Sequence, residues 1–418
     1  MYKKFLSLTK SLTVSLEKGL NFLTTQEHNP LYFHGAMPLY CFWFLIFSGI
    51  MLWMYYIPTL DRAWSSVNYI TSLPVITQVS QDGKTIWQTA AISDATGIPY
   101  GAVVRGIHRW GAAGMMITTL LHMFRVYFTD RHRSWRWLPW VSGVLLLVVL
   151  LFVGITGYLL VWDARAYAMV VSTQSWLRAI PGLGAWMADF FTGGDIRDYT
   201  LTRFLFFHVG GATLLFWLIW MHFIRLHEPV VTPSRATNFL TFGFILVAAG
   251  AIPAINVTQE LIKQYPSLAD QAAYIASDAP AQIGVIVEKM RYDAWYMFPY
   301  YLIERLGPVL AWIILGGSTI LLFVAPFYPK DRRDNIAEVL DAKCTGCTFC
   351  SLDCPFEAIT MQERAPGSKF KLIAVVQAAR CSECGICVGS CPFQAIDLPN
   401  THSKTIEADV LALLKTGA

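Results

Sequence analysis

Six stretches of this chain are apolar for long enough to cross a bilayer, and no other feature constrains its fold as tightly. Residues 36–57, 138–162, 204–224, 236–256 and 307–327 carry no charged side chain at all. Residues 107–127 form the remaining stretch, apolar overall but interrupted by His108, Arg109, His122 and Arg125. Each can supply the roughly 20 residues that a hydrocarbon core requires. Within that core a lone segment satisfies its own backbone only as a helix. A composition of 55% hydrophobic and 14% charged residues is too apolar for an ordinary soluble chain of 418 residues. The predicted architecture is an all-α polytopic membrane protein with six transmembrane helices.

Charge placement suggests an orientation. Arg125, Arg131, Arg133 and Arg136 follow the second span, Arg225 and Arg235 the fourth, and Lys330, Arg332 and Arg333 the sixth. Loops 58–101, 163–202 and 257–296 carry fewer cations for their length. The positive-inside bias therefore predicts a cytoplasmic N-terminus, cytoplasmic loops 128–137 and 227–236, and a cytoplasmic C-terminal tail. The opening MYKKFLSLTKSLTVSLEKGLNFL has Lys10, Glu17 and Lys18 breaking any signal-peptide core, with no small-residue cleavage site after it. It reads as an amphipathic helix on the membrane surface, over residues 1–29. A net charge of +4 is too small to suggest nucleic acid as a partner. No glycine-rich phosphate loop is present, so any flavin or nicotinamide chemistry is expected on a partner.

Composition changes abruptly near Pro329, where YPKDRRDN ends the last apolar run. Eight of the nine cysteines lie beyond residue 343, on the side read as cytoplasmic, where disulfides are not expected. Residues 344–355 read CTGCTFCSLDCP and residues 381–392 read CSECGICVGSCP. Both are C-x2-C-x2-C-x3-C-P, which resembles the run that wraps [4Fe–4S] clusters in two-cluster bacterial ferredoxins. That resemblance implies one cluster on Cys344, Cys347, Cys350 and Cys391, and a second on Cys381, Cys384, Cys387 and Cys354. A pair of zinc sites is the alternative, but zinc runs usually lack the third thiol and the closing Cys-Pro. Residues 330–418 are thus expected to form a small α+β ferredoxin-like domain. The 26 residues between Cys354 and Cys381, including APGSKFK, make a longer insert than compact ferredoxins carry.

The membrane part has its own periodic signal. His108 and His122 are 14 residues apart, and so are His208 and His222. On a helix, 14 residues fall about 40° short of four full turns, so both histidines share a face roughly 21 Å apart. One intramembrane histidine is usually a hydrogen-bonded helix contact, but two pairs at one spacing describe two bis-histidine haem sites at two depths. Gly35 and Gly49 repeat the interval, as do Gly143 and Gly157. Glycine would let a flat macrocycle lie against the backbone. Helix packing explains any one of them but not the shared interval. The expectation is a dihaem four-helix bundle.

The stretches RGIHRWGAAGMMITTLLHMFRVY, GITGYLLVWD, STQSWLRAIPGLG and LTRFLFFH resemble cytochrome b of the Rieske/cytochrome b complexes. They are especially similar to its short photosynthetic form. WYMFPYYLIERLGPVLAWIILGGSTILLFVAPF is similar to the start of that family's C-terminal portion, so the likeness covers roughly residues 30–328. It implies a bundle over 30–235, two further helices over 236–329, and the ferredoxin domain where a seventh helix would stand. It implies two haem b groups, the outer one on His108 and His208 and the inner one on His122 and His222. Arg105, Arg109, Arg125 and Arg203 become candidates to pair with haem propionates.

Two departures bear on the quinone sites. The family's P-E-W-Y loop, whose glutamate is thought to accept a proton, is here Asp293-Ala294-Trp295-Tyr296, and Val161 stands where proline is usual. Asp293, Tyr296 and Tyr158 remain candidate outer-side quinone contacts, and His227 with Glu228 the inner-side ones. Cys41 lies eight residues beyond the position where photosynthetic members anchor an extra haem, here Phe33. It is therefore expected to be a buried core thiol. The resemblance implies a membrane electron-transfer subunit of a quinone-linked oxidoreductase in a prokaryotic cytoplasmic membrane. Electrons would pass between the clusters, the two haems and the quinone pool. Expected partners are lipid, quinone, a cytoplasmic dehydrogenase or flavoprotein, and a second copy of the chain. A bifurcating quinol oxidase with an outer Rieske or cytochrome partner is the alternative, and a membrane anchor that docks a dehydrogenase is another.

Overall fold

The computed structural model of the chain describes residues 2–24, 29–71, 75–81, 84–90, 100–129, 132–133, 136–225, 234–250, 279–286, 292–328, 336–354, 357–378, 380–381 and 384–399. His227 and Glu228 lie outside the described residues. The helices run in the order α1 Tyr2–Thr24, α2 Ala36–Trp53, α3 Ala63–Thr71, α4 Tyr100–Phe128, α5 Trp137–Val161, α6 Ala164–Arg178, α7 Gly184–Thr192, α8 Asp198–Trp220, α9 Arg235–Gly250 and α10 Phe298–Val324. A π-helical turn, Met221–Arg225, follows α8 directly and carries His222.

Four helical segments are long and apolar enough to cross a membrane: Ala36–Trp53, Trp137–Val161, Asp198–Phe223 and Phe298–Phe327. Four of the six spans expected from the sequence thus meet that measure among the described residues. The other two do not, for different reasons. The 29-residue α4 is long enough, but Arg105, Arg109, Arg125 and its histidines dilute its apolar character. Of the stretch 236–256 only the part up to Gly250, in the 16-residue α9, lies within the described residues. The surface of α10 is built for lipid, with Ile313, Ile320 and Leu321 exposed along it. Within α10, Gly307 turns to φ 81° ahead of Pro308, so the helix is interrupted where proline offers no N–H. On α1, Leu8, Leu12 and Leu16 recur at four-residue intervals and are all exposed.

The chain divides into two compact units. One comprises residues 1–125, 145–217 and 233–320; the other comprises 126–144, 218–232 and 321–418. The first unit has its core where the end of α5, helices α6 to α8 and the start of α10 meet. Leu159, Trp162, Met169, Leu201, Phe204 and Met297 are buried there. Asp163 starts α6 by accepting from Ala166 N at 2.7 Å, and Arg165 pairs with its other oxygen at 2.8 Å. The preceding Trp162 takes φ 54° and is buried; its carbonyl accepts from Ala281 N at 3.2 Å. A two-stranded antiparallel hairpin, β1 Val75–Gln81 with β2 Lys84–Ala90, stands between α3 and α4 where sequence reading placed only a loop.

In the second unit the cysteine-rich region forms two strand–cysteine run–helix–strand halves. Strand β3 (Glu338–Val339) pairs antiparallel with β6 (Ile396–Asp397), and β4 (Ile359–Glu363) with β5 (Leu372–Val376). Each pair joins one half to the other. The long insert is the β4–β5 hairpin. Arg364 at its end donates to the carbonyls of Asp341 and Cys344, both at 3.0 Å, tying the hairpin to the first run.

Candidate redox centres

Helices α2 and α5 bring glycines against histidines of the helices that follow them. A β-carbon on Gly49 would lie 3.1 Å from His108 Cε1, and one on Gly157 would lie 2.9 Å from His208 Cε1. The corresponding distances are 3.2 Å for Gly35 with His122 and 3.3 Å for Gly143 with His222. Four separate glycines thus admit four imidazole edges. The contacts these glycines make here are with the histidine rings.

The hydrogen bonds then fix which nitrogen each ring presents. Ser48 Oγ donates to Phe44 O at 2.6 Å, so toward His108 Nδ1, 3.0 Å away, it can only accept. Ser142 Oγ likewise donates to Pro139 O at 2.9 Å and faces His222 Nδ1 at 2.8 Å. His208 Nδ1 lies 2.9 Å from Val153 O, which has no proton to give, and 3.3 Å from Thr156 Oγ1. This network assigns the proton to Nδ1 in all three rings and puts the lone pair on Nε2. That is the arrangement by which outer partners orient metal-ligating histidines. The sequence did carry a signal for it: Ser48-Gly49, Ser142-Gly143 and Thr156-Gly157 each place a hydroxyl directly before the glycine.

The outer pair can be tested for fit. The His108 and His208 ring centres are 6.2 Å apart with planes inclined at 60°. Two imidazoles that bind one metal from opposite sides at ~2 Å each bring their centres about 6 Å apart. The residues present therefore suit a bis-histidine haem iron. Of the inner histidines, His122 meets Gly35 within the first unit, and His222 meets Gly143 and Ser142 within the second.

The other candidates behave less uniformly. Arg203 Nη1 donates to Phe190 O at 2.6 Å. Arg105 and Arg125 stand on α4 with the histidines. Arg109 lies 3.5 Å from Asp293 and over the Tyr158 ring, 4.7 Å from its centre. Asp293 Oδ2 also accepts from the Tyr158 hydroxyl. Tyr296, expected as a quinone contact, is only 1% exposed and donates to Ala112 O at 2.7 Å. A β-carbon on Gly154 would fall within the Tyr296 ring, so this tyrosine fills a notch between helices. Cys41 is fully buried, with Gly114 packed against it.

In the cysteine-rich region, Cys344, Cys347, Cys350 and Cys391 line one pocket, closed by apolar Val339 and Ile396. Cys350 interacts with Cys391, Cys347 and Cys344; Cys387 interacts with Cys381, Cys384 and Cys354, and less strongly with Cys350. Three cysteines of each run are thus brought together with the fourth cysteine of the other. The fourth cysteines have matching environments, since Ala358 N donates to Cys354 Sγ at 3.3 Å and Ala395 N to Cys391 Sγ at 3.2 Å. Thr348 (φ 72°) and Gly385 (φ 77°) both follow the second cysteine of a run and turn the chain there. Burial, with neighbouring thiols adding to it, pushes the Cys350 thiol up to about 11 and the Cys387 thiol up to about 12. Thiolates in such a place would call for a cationic centre beside them. Among the described residues, no three His, Cys, Asp or Glu side chains converge on a point as one zinc ion would require. A cubane instead holds its thiolates at separate corners.

Two families match the chain: "Cytochrome b(N-terminal)/b6/petB" over residues 113–254 and "4Fe-4S dicluster domain" over residues 343–395. Cytochrome b6 of Prochlorococcus marinus strain NATL1A is 31% identical over 205 residues, covering 48% of this chain and 82% of that one. The strain MIT 9303 protein is 32% identical over the same length and coverage. A solved chain described as "Hyperthermophilic respiratory Complex III" aligns with 71% of this chain and 75% of its own length, at 21% identity and a TM-score of 0.48.

Proposed function

This chain belongs to the cytochrome b family, and on that premise we propose that it is the membrane electron-transfer subunit of a quinone-linked oxidoreductase complex. It is a multi-pass membrane protein with a 4Fe-4S dicluster region. His108 and His208 would hold an outer haem b, His122 and His222 an inner one, and the two crossed sets of four cysteines a cluster each. When bound, such haems and clusters accept and return single electrons. Quinone is the substrate that converts this traffic into two-electron, proton-coupled exchange.

The observation that carries the reading is the outer histidine pair, whose rings face each other at 6.2 Å with their Nδ1 protons already committed. The protein's own task is to hold those rings still, to exclude water from them, and to keep both cysteine sets in an apolar setting. Ferredoxin-type clusters with potentials of about −400 mV would favour flow from the cytoplasmic side toward quinone. The natural electron donor is a cytoplasmic dehydrogenase or flavoprotein, since the chain carries no nucleotide motif. The exposed leucines of α1 suit contact with the cytoplasmic lipid surface.

A combined optical and EPR redox titration of the purified full-length chain tests this reading. The expected count is two b-type haems and two [4Fe–4S] clusters per chain. Reduction by a low-potential ferredoxin should then reach the haem bands and consume added quinone. Haems that stay oxidised while the clusters reduce would sink the pathway.

A further inference from the structure

The segment that leads into α10 is anchored by a carboxylate with both oxygens engaged. Asp293 Oδ1 accepts from the backbone amides of Trp295 at 2.9 Å, Tyr296 at 2.7 Å and Met297 at 3.2 Å. Its Oδ2 accepts from the Tyr158 hydroxyl and lies 3.5 Å from Arg109 Nη1. The Asp293 side chain is 18% exposed, so solvent screens this pair only partly. To act as a mobile acid, Asp293 would have to abandon a three-amide cap, a tyrosine and a guanidinium together. Its neighbour Ala294 has no group that could carry a proton.

Arg109 directly follows His108 in the sequence. An uncompensated guanidinium beside a redox centre favours the more negative, reduced form, and a carboxylate paired with it removes that bias. We propose that Asp293 is a fixed counter-charge to Arg109 that holds down the reduction potential of the outer haem, and that it is a positioning residue, not a proton acceptor. This rests on reading His108 and His208 as haem ligands. It gives the altered Asp-Ala-Trp-Tyr stretch a definite role: the acid has become part of the frame around the outer centre. Tyr158 shares that role by donating to the same oxygen and presenting its ring to Arg109.

The test is an optical redox titration of the haem-loaded full chain as wild type, Asp293→Asn, Arg109→Gln and the double variant. Asparagine keeps an oxygen for the amide cap and removes the charge. In Asp293→Asn one haem midpoint should rise by about a tenfold change in its reduction equilibrium, ~59 mV for a one-electron couple. The other haem and both clusters should stay at their wild-type values. The double variant, with both charges gone, should return close to wild type. That restoration separates charge from loop position, and it decides the matter if the single Asp293→Asn chain fails to fold. An unchanged midpoint in loaded Asp293→Asn, or a double variant that does not return, overturns the proposal. A wild-type chain without b-type haem bands overturns the ligand reading instead, so the two failures are distinguishable.

Discussion

Gly157 approaches His208 so closely that a β-carbon there would stand 2.9 Å from the ring's Cε1, closer than at the other three glycines that meet a histidine ring. Such contacts do not occur without something shifting, and the ring is also held by Val153 O of the same helix. Gly157→Ala should therefore drive His208 off its position. Haem content measured by the pyridine haemochrome assay should fall from two toward one per chain. Gly143→Ala, at 3.3 Å from His222, should keep most of its haem. Equal losses in the two variants would mean that these glycines do not act through the rings.

Ser142 offers a gentler lever on the inner side. Ser142→Ala removes the acceptor for His222 Nδ1 without touching the ring. Loss of an outer partner of a metal-ligating histidine typically costs 10- to 100-fold in affinity, roughly 1.4–2.8 kcal/mol. Competition for haem by apomyoglobin should reveal faster loss of one haem, and Ser142→Thr should restore retention. A retention curve indistinguishable from wild type would show that Ser142 is a bystander.

Gly154 and Tyr296 should behave as lock and key. Gly154→Ala overpacks the notch and is expected to destabilise the detergent-solubilised chain by about 1–3 kcal/mol. Tyr296→Phe keeps the ring and loses only the bond to Ala112 O, at about 1 kcal/mol. Thermal unfolding followed by circular dichroism orders the two. A larger loss from Tyr296→Phe would show that the hydroxyl, not the fit of the ring, secures this segment.

The crossing of cysteine ligands has a pairwise signature. Cys391→Ser should remove the cluster shared with Cys344, Cys347 and Cys350, lowering non-haem iron by about half and abolishing any spin coupling between the clusters. Adding Cys344→Ser should cost nothing further, whereas adding Cys381→Ser should remove the remaining non-haem iron. The reverse pattern in iron analysis and EPR would mean that each run closes on itself.

The sequence reading reached the centres more readily than their surroundings. The two cysteine runs were legible because the chain turns tightly within each of them. The interval between His108 and His122 was legible because a helix converts spacing into direction. The Nδ1 partners escaped attention although each is next to a glycine already singled out, because facing across helices leaves no periodic trace. Asp293 was noted for its chemistry, yet its engagement depends on Tyr158 and Arg109, 135 and 184 positions away. The hairpin β1–β2 had a signal that went unused: two alternating runs separated by Asp82-Gly83.

Strand β3 pairs with β6 and β4 with β5, so each half of the cysteine-rich region is stitched to the other. The pocket that begins with Cys344 also needs Cys391, 47 residues further along. A ribosome that has made the first run has therefore made nothing that can close. Any centre held in that pocket would have to wait for Cys391, with the three earlier thiols kept reduced until the second run is made.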